Sequence, residues 1–249
     1  MDNPWYIRAS NYWTFDDIVY NTVEDLMGDR AGNAFGIVRN VQGIINDGIE
    51  LSEIFTRVDF GNFTNSCLSI PDQCKTGFTL AFWIKFNSNQ NEKYILQISK
   101  GITTSVGSSI YIDKGFIGAA VNSYNTIRNV EVSWPDDVWT HVSLVWNKTA
   151  NDLALYLDCS EVSYARKSIR RAGLDPYPPP QGKLILGADY GFLKNGRFAI
   201  DELGYWTFPL PRKMLCYIFR ARRGRMILQI IKYVDSIFSR CQGWIGSHI

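Results

Sequence analysis

Two adjacent acids, Asp201 and Glu202, interrupt the apolar segment at residues 199–205. If this segment is a β-strand, alternation puts Asp201 on the same face as Leu203 and Glu202 on the opposite face. One carboxylate is therefore predicted on a largely apolar face, unless a bulge changes the alternation. A buried carboxylate needs hydrogen-bond donors or a cation, so Asp201 is interpreted either as a cap for main-chain N–H groups or as a metal ligand.

Other residue types that carry catalysis or bind transition metals are sparse. The chain has two histidines, His141 and His248, and five cysteines without a Cys-x-x-Cys pair, so a zinc site is not supported. His141 falls in the middle of a predicted strand, on the face opposite Val142, and is interpreted as a hydrogen-bonded structural residue. The Gly-x-Ser-x-Gly and Gly-x-x-x-x-Gly-Lys motifs of hydrolases and nucleotide-binding proteins are absent from the sequence.

The cysteines and two sequons point to an oxidising compartment. Cys67 and Cys74 flank a polar turn that contains a proline and would close a short disulfide loop. Asn62 and Asn147 begin Asn-Phe-Thr and Asn-Lys-Thr, which are glycosylation sites in a secreted chain. Residues 1–5 show neither the basic start nor the apolar core of a signal peptide. The chain is therefore either cytosolic or a piece without its leader, and we favour the second.

Alternating apolar residues predict the elements that carry these groups. Residues 139–146 and 153–158 predict two neighbouring strands of a hairpin, and residues 78–86 predict a third long strand. Glycines punctuate the loops that follow a short edge strand at residues 12–15. Further strands are predicted at residues 94–99, 110–113, 116–122, 130–133, 183–187 and 198–206. With 46% apolar and 20% charged residues, the chain is predicted to be an all-β, antiparallel two-sheet jelly-roll sandwich.

The C-terminal residues differ from the rest in charge. Residues 212–249 carry eight Lys or Arg and one acid, which is +7, and the other 211 residues carry 18 bases and 23 acids, which is −5. Such a basic tail is suited to anionic glycans, membrane surfaces or nucleic acid. Residues 216–249 are interpreted as a short amphipathic helical tail that packs on the domain or binds a membrane or partner, or as foreign sequence. No run of about 18 apolar residues predicts a membrane span. The apolar face of this tail comprises Ile227, Ile230, Ile231, Val234 and Phe238.

An ordered set of motifs resembles the laminin-G-like, concanavalin A-like jelly-roll family, close to its pentraxin branch. The resemblance covers about residues 10–215 and implies one jelly-roll domain there, with residues 216–249 outside it. The motifs are Tyr-Trp-Thr-Phe at 12–15 with Asp-Leu-Met-Gly at 25–28, the Cys67 to Cys74 loop leading into 77–85, the hairpin at 139–158, and Ile-Asp-Glu-Leu-Gly-Tyr-Trp at 200–206.

The resemblance also implies a metal and a disulfide. Many members hold a structural calcium where the closing strand meets the opening segment, which assigns Asp201 and Asp25 to that site here. Where the family has glycine after the aspartate of the hairpin, this chain has Cys159, which implies a disulfide for which Cys216 is the candidate partner.

Family members are mostly secreted or cell-surface adhesion modules, so the resemblance implies an extracellular, non-catalytic domain that binds a glycan or a protein. Loops on a rigid sandwich carry recognition, and the turn at Tyr124 is one candidate contact. A second is the basic cluster Arg166, Lys167, Arg170 and Arg171, which is interpreted either as an anionic-glycan contact or as a solvated loop.

The alternative is a glycoside hydrolase, because the same scaffold hosts retaining glucanases. Retention needs two carboxylates about 5–5.5 Å apart, and on this scaffold they would follow a Glu-x-Asp-x-x-Glu pattern. That pattern is absent from the sequence, and adjacent Asp201 and Glu202 are expected to point to opposite faces, so no enzyme is predicted. Nucleic-acid binding would depend only on the arginine-rich tail and is not predicted.

Overall fold

The computed structural model describes residues 9–220 apart from gaps at 29, 87–88, 92, 99–104, 125, 166–168, 171–181, 190 and 192–193. A short 3-10 turn spans Pro71–Gln73, and the helix α1 spans Arg212–Arg220. The strands of the described part are β1 (Asn11–Trp13), β2 (Ile18–Val19), β3 (Thr22–Val23), β4 (Gly32–Phe35), β5 (Val38–Gln42), β6 (Asp47–Leu51), β7 (Arg57–Asn62), β8 (Gly77–Lys85), β9 (Lys93–Gln97), β10 (Gly107–Asp113), β11 (Phe116–Asn122), β12 (Thr126–Ser133), β13 (Thr140–Asn147), β14 (Asp152–Leu157), β15 (Ser160–Ala165), β16 (Ile169–Arg170), β17 (Lys183–Leu186) and β18 (Phe198–Trp206).

These strands form two antiparallel sheets. The eight-stranded sheet has the order β15-β14-β13-β8-β18-β6-β5, and β1 also pairs with β18. The ten-stranded sheet has the order β16-β12-β11-β10-β9-β17-β7-β4-β3-β2. The prediction of an all-β two-sheet sandwich is confirmed.

The core lies between the two sheets because each long strand buries one face. Leu144 of β13 lies opposite Leu80 of β8 and Leu155 of β14, as the alternation of the hairpin predicts. Ile110 and Ile117 of the ten-stranded sheet belong to the same apolar cluster. All five side chains are at most 1% exposed, and each contributes roughly 1.5–3 kcal/mol through burial.

The opposite face of the eight-stranded sheet, called the outer face below, is also largely covered. On β8 this face carries Ala81 and Trp83, which alternate with the core residues. Leu215 of α1 packs with Ala81, and the Phe219 ring stacks on Trp83 at 5.5 Å. A disulfide from Cys216 to Cys159 joins α1 to the turn between β14 and β15. The fold thus has a short C-terminal helix, as predicted, and it spans Arg212–Arg220 and packs on the outer face.

Two parts of the chain differ from expectation or lie beyond description. Residues 16–60, interpreted from their glycines as loops, contain the five short strands from β2 to β6 and most of β7. The apolar helical face proposed for residues 227–238 lies outside the described residues. Among the residues that are described, no helix has the length and apolarity to cross a membrane.

Candidate functional site: a polar groove beside two buried carboxylates

A bulge in β18 determines where the two acids point. Asp201 lies opposite Trp83 and Gly204 lies opposite Ala81, so β18 has one residue more than β8 between these pairs. Glu202 has a φ of 55° at this point. Leu203 after the bulge faces the core, whereas Asp201 shares the outer face with Trp83.

The expectation that Asp201 and Glu202 point to opposite faces is therefore wrong. The bulge turns both carboxylates away from the core, and strict alternation fails between Asp201 and Leu203. The Glu202 carboxylate accepts a hydrogen bond from the Tyr12 hydroxyl, and Tyr12 belongs to the apolar cluster on the outer face.

Both carboxyl groups are closed off from solvent. Asp201 is 0% exposed and Glu202 is 6% exposed. Asp201 Oδ2 accepts hydrogen bonds from the main-chain N–H groups of Ile44 at 2.8 Å and Ile45 at 3.1 Å. A Cβ on Gly43 would lie 2.5 Å from the same oxygen, so glycine lets this turn close over the carboxylate. Asp201 thus caps main-chain N–H groups, which is one of its two interpretations.

Burial raises the pKa values of these two acids. It raises the pKa of Asp201 to about 7, against the opposing effect of the hydrogen bonds from Ile45 and Ile44. Burial likewise raises the pKa of Glu202 to about 8, against the hydrogen bond from Tyr12. Burial is also the main cause that raises the pKa of Tyr12. The cluster therefore favours protonated carboxyl groups.

Asp25 serves a separate turn. Its carboxylate accepts hydrogen bonds from the main-chain N–H groups of Tyr12 at 2.9 Å, Met27 at 3.1 Å and Gly28 at 3.1 Å. The Asn11 side-chain amide donates to its other oxygen at 2.6 Å. These donors occupy the positions from which a cation would approach the carboxylate.

The residues present do not fit the calcium that the family resemblance implies. Both oxygens of Asp25 and Oδ2 of Asp201 accept N–H donors, and a cation needs oxygen ligands in those positions. Asp201 Oδ1 is buried without a hydrogen-bond partner among the described residues. In the described part of the chain, no group of three or more His, Cys, Asp or Glu side chains is arranged to hold a metal ion. Calcium binding stays a prediction that thermal unfolding can test.

His141 lies under α1 and is not accessible to a ligand. It is 1% exposed, and its ring lies 5.2 Å from Trp83 and 6.0 Å from Phe219. Its Nδ1 is 3.5 Å from the Ser143 hydroxyl, and burial lowers its pKa to about 3. A neutral, enclosed imidazole fits the structural role assigned to it.

An open groove lies on the outer face beside Asp201, at Ala199, two residues earlier on β18. Its floor is a row of three side chains on adjacent strands, Glu50, Ala199 and Lys85, which lie opposite one another in register. Trp139, just before β13, and Arg197, just before β18, form parts of the walls. The cavity has a volume of about 310 Å³, which is the size of a small-ligand site.

Several polar groups of the groove lack a partner among the described residues. In that part of the chain the Ser52 hydroxyl is buried and makes no hydrogen bond. The side chains of Glu50, half-buried, and Arg197, exposed, make no hydrogen bond or ion pair with the described residues. Lys85 forms an exposed pair with Asp137 at 3.8 Å. Open donors and acceptors beside an indole ring offer hydrogen bonds to a polar ligand.

The other candidate contacts lie away from this groove. Tyr124 is 45% exposed in the turn between β11 and β12, and its N–H donates to Asp72 at 3.2 Å. Of the basic cluster, Arg166, Lys167 and Arg171 lie outside the described residues, and only the backbone of Arg170 is described, in β16.

The predicted glycosylation sites are at the surface or near it. Asn62 is exposed at the end of β7, and its Oδ1 accepts the N–H of Thr64 at 2.7 Å. Asn147 is half-buried at the end of β13, and its Oδ1 accepts the N–H of Ala150 at 3.0 Å. A disulfide joins Cys67 to Cys74 across the turn that contains the 3-10 helix.

Sequence reasoning missed the groove because its residues are far apart in the chain. Glu50 and Lys85 come from the ends of β6 and β8, and Ser52 and Arg197 come from the connections beside β6 and β18. The one local signal was Trp139, the aromatic residue that begins the strand predicted at residues 139–146.

Comparisons with known proteins agree with this architecture. A family model described as the concanavalin A-like lectin/glucanases superfamily matches residues 60–214. Adhesion G-protein coupled receptor D1 of Homo sapiens is 26% identical over 249 residues, covering 92% of this chain and 26% of the receptor. The chain thus spans about a quarter of that relative.

Solved structures share the fold at low sequence identity. The binding domain of botulinum neurotoxin DC in complex with SialylT aligns with a TM-score of 0.64 and 14% identity over 88% of this chain and 52% of that one. The same domain in complex with rat synaptotagmin II has a TM-score of 0.63 at 14% identity, over 88% and 52% of the two chains. The binding domain of Paraclostridial Mosquitocidal Protein 1 has a TM-score of 0.62 at 15% identity, over 87% and 52%.

Proposed function

Because the chain belongs to the concanavalin A-like lectin/glucanases superfamily, we propose that it is a non-catalytic extracellular binding module that holds a neutral sugar in the outer-face groove. Relatives with this fold include an adhesion receptor and toxin binding domains, one of them in complex with SialylT. The groove is the part of this chain whose chemistry fits such a ligand.

The observation that carries the proposal is the set of unsatisfied polar groups beside Trp139. A sugar presents an apolar ring face that stacks on an indole, and hydroxyl groups that both donate and accept hydrogen bonds. Glu50 is an acceptor, Arg197 is a donor, and the Ser52 hydroxyl is both. The sugar hydroxyls would replace the water that Glu50 and Arg197 otherwise bind.

The charges of the groove favour a neutral ligand. Lys85 and Arg197 supply two positive charges, and Glu50 and Asp137 supply two negative charges. The lining is thus balanced, whereas a site for a sulfated or carboxylated glycan needs an excess of cations. The basic cluster at residues 166–171 stays a separate prediction for anionic glycans.

A binding role is favoured over hydrolysis because the acids suited to proton transfer are enclosed. Asp201 and Glu202 are the carboxyl groups whose pKa is raised toward neutrality, as a general acid requires. Both are buried and committed to hydrogen bonds within the protein. In the groove, the Asp137 carboxylate is paired with Lys85.

An extracellular location is supported by the covalent structure. Two disulfides join Cys67 to Cys74 and Cys159 to Cys216, and such bonds persist in oxidising compartments. The adhesion receptor relative is consistent with the same location.

The test is binding of neutral oligosaccharides to the purified protein, screened on a glycan array and measured by calorimetry. We expect Trp139→Ala and Arg197→Ala to weaken binding of any positive sugar at least about tenfold, which is about 1.4 kcal/mol. Tyr124→Ala, an exposed aromatic residue outside the groove, is the matched control and leaves affinity unchanged. A sugar affinity that is unchanged in both Trp139→Ala and Arg197→Ala would contradict the proposal. Release of reducing sugar from β-glucans would contradict the non-catalytic role.

A further inference from the structure

We propose that exposed apolar side chains at one edge of the ten-stranded sheet dock a protein partner whose apolar contact surface is bordered by basic residues. This surface, called the apolar rim, shares the β6–β7 connection with the sugar groove but consists of other side chains, and it does not depend on the proposed function. Its members are Tyr20, Phe35, Ile37, Ile54 and Phe55.

The apolar rim is continuous because its loops contact one another. The main-chain N–H of Ala34 donates to the Asn21 carbonyl at 2.7 Å, which joins the β2–β3 turn to β4. Phe35 lies opposite Arg57 in register. A Cβ on Gly36 would lie 3.1 Å from Thr56 Cα, so the β4–β5 and β6–β7 connections touch there.

Its side chains are unusually open for their size. Tyr20 is 96% exposed, Ile54 66%, Ile37 61%, Phe55 58% and Phe35 42%. Single exposed apolar residues are ordinary, but a contiguous group of large ones marks an interaction surface.

Backbone conformation gives a second, independent indication. Tyr20 and Asn21 form the two-residue turn of the β2–β3 hairpin with φ values of 51° and 61°. Such turns favour Asn and Gly because both central residues have positive φ. Phe55 also has a positive φ, 67°. Two exposed aromatic residues thus have left-handed backbone conformations that disfavour aromatic side chains. Because both side chains are exposed, packing within the protein does little to offset that cost, which points to a role in contact with a partner.

The surrounding charge selects the class of partner. Without Glu50, which lies in the groove, the two segments that carry the rim, residues 16–24 and 35–57, contain five acids and two bases, which is −3. Arg39 is paired with Glu53 at 2.9 Å, and Arg57 lies over the Phe35 ring at 4.2 Å. This field repels an anionic lipid surface. A symmetric pair of copies would place acid against acid. Aromatic residues with an arginine among acids instead match one side of a protein–protein interface.

The experiment uses two synthetic helical peptides as probes, one with a leucine face bordered by lysines and one with glutamates in place of the lysines. We expect the lysine peptide to bind the protein and the glutamate peptide to bind at least about tenfold more weakly. The double variant Tyr20→Asn, Phe55→Asn places residues that tolerate positive φ at both positions, so its fold is kept. It should lose most of the lysine-peptide binding.

The matched control is Phe116→Asn, which removes an exposed aromatic residue (45% exposed) elsewhere on the ten-stranded sheet. It should bind the lysine peptide like the unaltered protein, and sugar binding should be unchanged in all variants. Equal binding of both peptides, or binding that survives in the double variant, overturns the proposal. So does rim-dependent binding to phosphatidylserine vesicles, or rim-dependent dimerisation in sedimentation velocity.

Discussion

We expect the protein to lose stability as pH rises from about 6.5 to 8, because Asp201 and Glu202 must then ionise while buried. Burial raises the pKa of Asp201 to about 7 and that of Glu202 to about 8, whereas both groups titrate near 4 in an unfolded chain. The folded state therefore binds more protons than the unfolded state between about pH 4 and 8. Stability from this source is greatest at the acidic end of that window and is lost as pH rises through the folded values.

The magnitude follows from the number of protons. Over this interval of about 1.5 pH units, pKa values of about 7 and 8 leave the folded protein with roughly one proton more than the unfolded chain. One proton is worth about 1.36 kcal/mol per pH unit, so the loss is about 2 kcal/mol. His141, whose pKa burial lowers to about 3, acts in the opposite direction only below its unfolded value of about 6.5.

Guanidinium unfolding followed by tryptophan fluorescence at both pH values measures this difference. Glu202→Gln keeps an acceptor for the Tyr12 hydroxyl and should remove the larger share of the pH dependence. Asp201→Asn with Glu202→Gln should remove nearly all of it. Asp137→Asn, whose side chain is 68% exposed, is the control and should keep the full slope. A wild-type stability that is flat or rises with pH would refute the reasoning, as would a slope that survives in the double variant.

Three further outcomes can be checked on the same protein. Cys159→Ser with Cys216→Ser removes a disulfide between residues 57 positions apart and should lower the free energy of unfolding by about 4 kcal/mol. Cys67→Ser with Cys74→Ser removes one between residues 7 positions apart and should lower it by about 2 kcal/mol, because a shorter loop restricts the unfolded chain less. Equal losses would contradict this dependence on loop length. The unfolding midpoint should be the same with calcium as with a chelator, because N–H donors already bind both oxygens of Asp25 and Oδ2 of Asp201; a calcium-dependent rise in the midpoint would support the metal site. When the protein is secreted from mammalian cells, Asn62→Gln should remove more of the mass sensitive to peptide N-glycosidase than Asn147→Gln, because Asn62 is exposed and Asn147 is half-buried; the reverse order would count against burial as the cause.

The long strands were predictable because apolar residues recur along one face of each. The segment at residues 116–122 matches β11, and the segment at 198–206 matches β18 although a bulge interrupts its alternation. The short strands β2 to β7 were not predicted, because a segment of two to six residues shows too little alternation to indicate a strand when glycines nearby indicate loops.

The candidate site was less predictable than the fold. Glu202 pairs with Tyr12, 190 positions away, and no local pattern reports such a contact. The face to which the Asp201 and Glu202 side chains point depends on a bulge, which a single sequence does not reveal. Glu50 and Lys85 face each other across Ala199 only once three strands are in register.

The same bulge holds the one residue by which the closing strand exceeds its neighbour β8. Before it, Ile200 faces the core, and after it Leu203 and Tyr205 do so as well. Deleting Glu202 would leave a single residue between Asp201 and Gly204, as β8 has between Trp83 and Ala81, so Leu203 and Tyr205 would keep facing the core. When other versions of this protein are aligned, a one-residue gap at this point would therefore report the loss of one buried acid from a strand whose faces are kept.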